Sequence, residues 1–161
     1  MEIERGLPLR VDLYTDGACR GNPGIGGWGV LLEYEGLKRE IFGYEYHTTN
    51  NRMELMAAIQ GIQAVDGSCE HISVYTDSQY VCKGITEWLD NWKRKGWKTA
   101  SGKSVKNHDL WTNLDGVCSK HRIDWHWVRG HSGNVGNERA DALANLAIDK
   151  LTKSDEICGH S

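Results

Sequence analysis

The sequence predicts an α/β fold: a mixed five-stranded sheet, made of a three-strand antiparallel meander plus two parallel strands, flanked by helices. Three observations predict it. Three strand-like runs follow one another near the start of the chain with only short turn-forming connections, which makes neighbours antiparallel. Two further strand-like runs, His71–Thr76 and "RIDWHWV", alternate with helix-patterned stretches, the order from which parallel neighbours arise. The chain has 161 residues, 39% hydrophobic and 25% charged, ordinary values for one globular core.

The first strand spans Leu9–Thr15, with Val11, Leu13 and Thr15 on one face and Asp12, Tyr14 and Asp16 on the other. "GNPGIGGWG" is turn-forming, "WGVLLEYEG" continues as the second strand, and Glu35-Gly36 makes a tight connection to the third, "KREIFGYEY". Gly24, Gly26 and Gly29 spell G-x-G-x-x-G. The dinucleotide-binding fingerprint needs a helix to open there, whereas Trp28, Val30, Leu31 and Leu32 read as strand, so turn chemistry is the expectation. Asn50–Val65 is a helix, with Met53, Met56, Ala57, Ile59, Ile62 and Val65 at helical spacing, Thr49 or Asn50 as cap and Gly67 as stop. After the fourth strand a short helix starts at Ser78. Trp88–Trp97 is polar, aromatic and basic. Asn107–Ser119 is helical, with Leu110, Trp111, Leu114 and Val117 inward. In the fifth strand Ile123, Trp125 and Trp127 alternate with Asp124, His126 and Val128, and Trp28, Trp125 and Trp127 are expected in the core. A Gly-bounded loop around His131 leads to a last helix, Asn137–Leu151. The expectation is a single domain over residues 1–161, with a core of about 9–152 and a frayed tail from 153 to 161.

Composition narrows the class. No apolar run approaches the ~20 residues that span a bilayer. The charged start, "MEIERGLPLR", lacks the apolar stretch of a signal peptide, so a cytoplasmic protein without membrane contact is expected. Five cysteines, with no C-x-x-C, are expected to be reduced thiols. Cys118, His121 and His126 hint at zinc but lack a fourth ligand. The net charge of −3 argues against a uniformly basic nucleic-acid binder. Between residues 83 and 106, however, seven cations (Lys83, Lys93, Arg94, Lys95, Lys98, Lys103, Lys106) face only Glu87 and Asp90, a local +5 that leaves the remainder near −8. That asymmetry points to a polyanion partner at one place.

The tripeptide Tyr-Thr-Asp closes two strand-like runs, at Asp16 and at Asp77. If the first and fourth strands are parallel neighbours, the two carboxylates lie side by side. They repel unless one takes a proton or a divalent cation joins them. Oxygen-only ligands select a hard ion, Mg2+ or Mn2+. Glu54 interrupts an apolar helix between Met53 and Leu55, and Asp141 sits between Ala140 and Ala142 near the start of the last helix. Glu54 and Asp141 are each compatible with a favourable helix-dipole position, whereas four acids together suggest a site. His131 beside such a cluster is a candidate proton carrier. Trp88, Trp92 and Trp97 are interleaved with Lys93, Arg94, Lys95 and Lys98. They form a platform for a nucleic-acid backbone, pack a small core of their own, or do both.

With these stretches in view, the sequence resembles ribonuclease H of the type 1, bacterial kind. The matching segments are "YTDGACRGNPGIGGWG", "TTNNRMELMAAI", "VYTDSQYV", "NWKRKGWKTA", "VKNHDLW" and "WHWVRGHSGNVGNERADALA", from about residue 11 to 150. Integrase and transposase cores share the fold and the acids, but not usually this combination of segments. The resemblance implies the ribonuclease H-like fold and an endonuclease that hydrolyses the RNA strand of RNA–DNA hybrids by two-metal-ion catalysis. It implies no sequence preference, and 5′-phosphate and 3′-hydroxyl products. It implies two Mg2+ ions, with Mn2+ as a substitute, held by Asp16, Glu54, Asp77 and Asp141. Asp16 would bridge the ions, Glu54 and Asp77 would hold the one nearer the leaving oxygen, and Asp141 the one that activates water. His131 would aid proton transfer or product departure. Cys19, Asn22, Asn50 and Gln79 match residues near the minor groove of the hybrid. Thr49 and Asn107 match a pocket for a DNA-strand phosphate. Trp88, Lys93, Arg94, Lys95 and Lys98 match a basic protrusion along the same strand. His47 stands where relatives often carry arginine, and "SGNVGNE" lacks a proline common there. A monomer is expected.

Overall fold

The computed structural model describes residues 10–65 and 71–159, with side chains to residue 153. Leu9, Gly67, Cys69 and the side chain of Cys158 lie outside the described residues. Strands β1 (Arg10–Arg20), β2 (Gly24–Tyr34) and β3 (Leu37–Thr48) form the antiparallel meander. Strands β4 (His71–Thr76) and β5 (Arg122–Trp127) extend it in parallel, giving the order β3-β2-β1-β4-β5. Glu35 and Gly36 both take positive φ, 49° and 81°, as a two-residue hairpin turn whose twist matches its strands requires.

Two strand boundaries differ from expectation. β1 does not stop at Thr15 but continues to Arg20, paired with β2 from Asp16↔Gly29 to Arg20↔Ile25. The extra residues include Gly17 and Ala18, which carry little strand propensity of their own, so the partner strand decides. β2 starts at Gly24 rather than near Trp28, which places the whole glycine motif inside a strand. Its glycines admit a helix. A Cβ at Gly27 would lie 2.3 Å from the Ala144 carbonyl oxygen, and one at Gly29 2.5 Å from that of Ala140.

Helix α1 (Asn50–Gln63) is capped by Thr49, whose Oγ1 accepts from the Arg52 N–H at 3.3 Å. It ends two residues before Val65. It buries Leu55, Ala58, Ile59 and Ile62 against Leu13, Val30, Ile72 and Val74, with Trp111 and Leu114 closing this core. The chain between β4 and β5 forms α2 (Gln79–Lys83), a π-helical turn (Gly84–Trp88), α3 (Leu89–Arg94) and α4 (His108–Cys118). At Gly84 a Cβ would come within 1.9 Å of the Trp111 ring, so only glycine lets this segment cross the buried indole.

Helix α5 (Val135–Gly159) begins before Asn137 and remains helical to Gly159, where fraying after Lys153 was expected. It buries Leu143, Ala144, Ala147, Ile148 and Leu151. Trp28 and Trp125 pack against the core as expected. Trp127 does not; it is 47% exposed, at the end of an edge strand, where its indole turns toward the start of α2. Among the described residues no helix is long and apolar enough to cross a membrane.

Candidate active site

β1 and β4 pair in parallel up to Thr15↔Thr76. Beyond that pair β4 ends, and Asp77 leaves the sheet toward α2, while β1 runs on beside β2 alone. Asp16 is therefore not at a strand end, as the repeated tripeptide suggested; it is the first residue of β1 with no β4 neighbour. The turn at Asp77 is held locally. The Ser78 N–H donates to Thr76 Oγ1 at 3.0 Å, and Ser78 Oγ caps α2 by accepting from Val81 N at 3.1 Å.

Glu54 reaches the same point from α1, through Gly17. A Cβ there would lie 2.5 Å from Glu54 N, so glycine lets the helix backbone meet the strand. Asp16, Glu54 and Asp77 each present a carboxylate oxygen within 4.8 Å of the others. Asp141, in the second turn of α5, lies within hydrogen-bonding reach of the Asp16 carboxyl group. All four acids that sequence reasoning singled out thus approach one place from four elements.

The electrostatics are unfavourable for a bare pocket. Asp16 is 3% exposed and Glu54 5%, too little water to solvate two charges. Burial, then the charge of Asp77 and the hydrogen bond that a protonated Asp16 donates to Asp141, push the Asp16 carboxyl group from its usual 3.8 up to about 9, against the opposing hydrogen bond from Gly17 N at 2.9 Å. Burial, then Asp16 and Asp77, push Glu54 well above the usual carboxylate range. Glu54 Oε1 is buried with no hydrogen-bond partner. Clustered oxygens, mutual repulsion and an orphaned acceptor fit a hard divalent cation, which supplies the missing charge and the missing partner.

The other sequence candidates fall into groups. His131 is exposed, in a left-handed conformation (φ 56°), one residue after a glycine that faces Asp77. Asn22 Oδ1 accepts from Asn50 N at 2.9 Å, so these two exposed residues meet at the start of α1. The Cys19 thiol contacts the Thr48 carbonyl at 3.4 Å, and Gln79 is exposed at the first position of α2. Asn107 takes a left-handed conformation (φ 61°). Its Oδ1 accepts from Arg52 at 3.2 Å and its Nδ2 donates to the Tyr80 hydroxyl at 3.1 Å. Arg52 also grips Asp109 through both terminal guanidinium nitrogens, at 3.0 and 2.8 Å. Sequence reasoning missed Arg52, which ties Thr49 to Asn107. Its only signal is a cation one residue before the apolar face of α1.

In the basic segment the indoles pack together and the cations face outward. Trp92 packs against Trp88, Trp97 and Trp111 with ring centres 5.7, 6.2 and 5.3 Å away, so the tryptophans pack together but as an extension of the main core through Trp111 rather than as a core of their own. The cations lie outside it. Lys93, Arg94, Lys95 and Lys98 are exposed, although Lys93 also pairs with Asp115 at 3.2 Å. The zinc hint fails: among the described residues the acidic trio is the one cluster of three possible metal ligands. Cys19, Cys82 and Cys118 are free, and burial followed by Asp115 pushes the Cys118 thiol up to about 12.

Comparison with known proteins gives a consistent answer. The family model described as RNase H matches residues 8–149. Ribonuclease H of Francisella tularensis subsp. novicida (strain U112) is 62% identical over 142 residues, covering 88% of this chain and 93% of that protein. The structure of LC9-RNase H1, a type 1 RNase H with the type 2 active-site motif, superposes with a TM-score of 0.81 at 36% identity, over 89% of this chain and 74% of that one. LC11-RNase H1, solved in complex with an RNA/DNA hybrid, has a TM-score of 0.66 at 25% identity, over 88% of this chain and 99% of that one.

Proposed function

Because the chain belongs to the ribonuclease H family, we propose that its acid pocket cuts the RNA strand of RNA–DNA hybrids internally, without sequence preference, leaving 5′-phosphate and 3′-hydroxyl ends. One observation carries this reading: three buried or half-buried carboxylates within 4.8 Å of one another, a fourth beside them, and a buried acceptor with no partner.

In this reading two Mg2+ ions are the cofactor, with Mn2+ as a substitute. Bound cations supply the charge and Lewis acidity that phosphodiester hydrolysis needs. Asp16, which interacts with both Asp77 and Asp141, would be the ligand common to both ions. Glu54 and Asp77 would hold one ion with it and Asp141 the other. His131, exposed on its loop, carries a proton to or from the reacting phosphate. Thr49 and Asn107, joined through Arg52, grip a phosphate of the DNA strand. Cys19, Asn22, Asn50 and Gln79 line the approach where the RNA 2′-hydroxyls distinguish the two strands. Trp88 and the exposed cations after it follow the DNA backbone. The protein acts as a cytoplasmic monomer.

The test is cleavage of labelled hybrid, duplex RNA and duplex DNA in parallel, with Mg2+ and with chelator. Hybrid alone should be cut, in its RNA strand and only with the metal. Equal cutting of duplex DNA, or cutting in chelator, would overturn the reading.

A further inference from the structure

The carbonyl of Asp77 is used by neither of the elements it joins. Asp77 precedes Ser78, the cap of α2, and the first backbone bond of that helix runs from Cys82 N to Ser78 O, so the helix does not use it. The sheet does not use it either: Val128 N donates to the Thr76 carbonyl at 2.9 Å, one residue earlier. A backbone acceptor left over between two elements can take a side-chain donor. Here the partner is the indole N–H of Trp127, at 3.1 Å. With nearly half its surface exposed, Trp127 contributes little core packing. Its contact with Asp77 ties the end of β5 to the peptide that aims a pocket carboxylate.

The same segment also runs beside the carboxylate itself. A Cβ at Gly130 would lie 2.7 Å from Asp77 Oδ2 and 3.5 Å from its carboxyl carbon. Gly130 leaves room for the carboxylate in its present orientation, and its φ is not in the left-handed region, so space rather than backbone conformation is what requires glycine here. We propose that Trp127 is a positioning residue for cation binding: its indole N–H fixes the Asp77 peptide, so that the carboxylate stays on Asp16 and Glu54 with Gly130 as its bare backstop. This rests on the reading of the pocket as a cation site. It adds a residue that touches neither cation nor substrate, and it links the His131 loop mechanically to the acids.

The experiment uses Trp127→Phe, which keeps an aromatic ring and deletes the donor, and Gly130→Ala, which keeps every hydrogen bond and adds the obstructing carbon. Metal-stripped wild type and variants are titrated with Mg2+ alone, followed by backbone amide NMR shifts, and kcat and KM for hybrid are measured separately. Trp127→Phe should bind Mg2+ about tenfold more weakly, the lower end of what loss of an outer hydrogen bond to a metal ligand costs. Its kcat should fall while KM, and hybrid affinity in chelator, stay at the wild-type values. Gly130→Ala should shift in the same direction. Wild-type Mg2+ affinity and kcat in Trp127→Phe would overturn the proposal. So would a lower unfolding temperature with unchanged Mg2+ affinity, the result of a merely structural role. A wild-type protein that neither binds Mg2+ nor cuts hybrid would refute the underlying reading instead.

Discussion

The acid pocket and the basic segment between Lys83 and Lys106 treat charge in opposite ways. In the pocket, charges are buried, of one sign and close together, and Asp16 and Glu54 are driven toward their neutral forms. In the basic segment a layer of tryptophans lies beneath the cations, and Lys93, Arg94, Lys95 and Lys98 stay in water at almost no desolvation cost. The first region sacrifices stability for a fixed geometry. The second keeps its stability in the indoles and leaves its charges at the surface. Buried charge is suited to chemistry at one point, and exposed charge to a backbone of varying sequence.

Removing one pocket charge should have the gravest consequence. Asp77→Asn should reduce hybrid cleavage to background while hybrid binding in chelator is nearly unchanged; near-normal turnover would remove Asp77 from the metal site. The counterpart in the basic half is its buried anchor. Trp111 has no solvent exposure, and Trp111→Ala should cost about 3–5 kcal/mol in denaturant unfolding. It should weaken hybrid binding as the cations lose their platform.

Proton linkage gives a smaller, signed effect. Asp16 rises from 3.8 to about 9 on folding, so the native protein holds a proton that the unfolded chain has lost across that window. Metal-free protein is therefore most stable below about pH 4 as far as this group is concerned, and it loses that contribution as pH rises toward 9. Asp16→Asn should flatten the fall and raise the unfolding temperature in chelator near pH 8. A pH-independent wild type would contradict the burial argument. Last, replacing Lys93, Arg94 and Lys95 together by alanine should leave the unfolding temperature almost unchanged. The slope of log affinity for hybrid against log salt should flatten by roughly 0.9 for each phosphate that is no longer neutralised. An unchanged slope would show that this surface does not touch the backbone.

Much of this organisation was legible in the sequence. The Glu35-Gly36 turn, the helix that starts after Thr49 and the strand His71–Thr76 are local signals, and the structure has them at those places. The four acids were legible because each stands where an apolar or turn residue would serve equally well. What was not legible depends on partners distant in sequence. β1 extends to Arg20 because β2 lies beside it, and β2 is glycine-rich because α5 packs against it more than a hundred residues later. Trp127 alternates correctly for a core position, but it ends an edge strand, and periodicity carries no information about what covers a face. The π-helical turn at Gly84 depends on the Trp111 ring, which no local pattern announces.

Helix α1 has a consequence for where a cut falls. Thr49 caps it and Glu54 lies five residues further along the same rod, about 7–8 Å up its axis at 1.5 Å per residue. Under the proposed reading a single stiff element bears both the anchor for one strand and a blade acting on the other. It works as a gauge, so the break is set at a constant offset from the anchored phosphate whatever letters the hybrid spells.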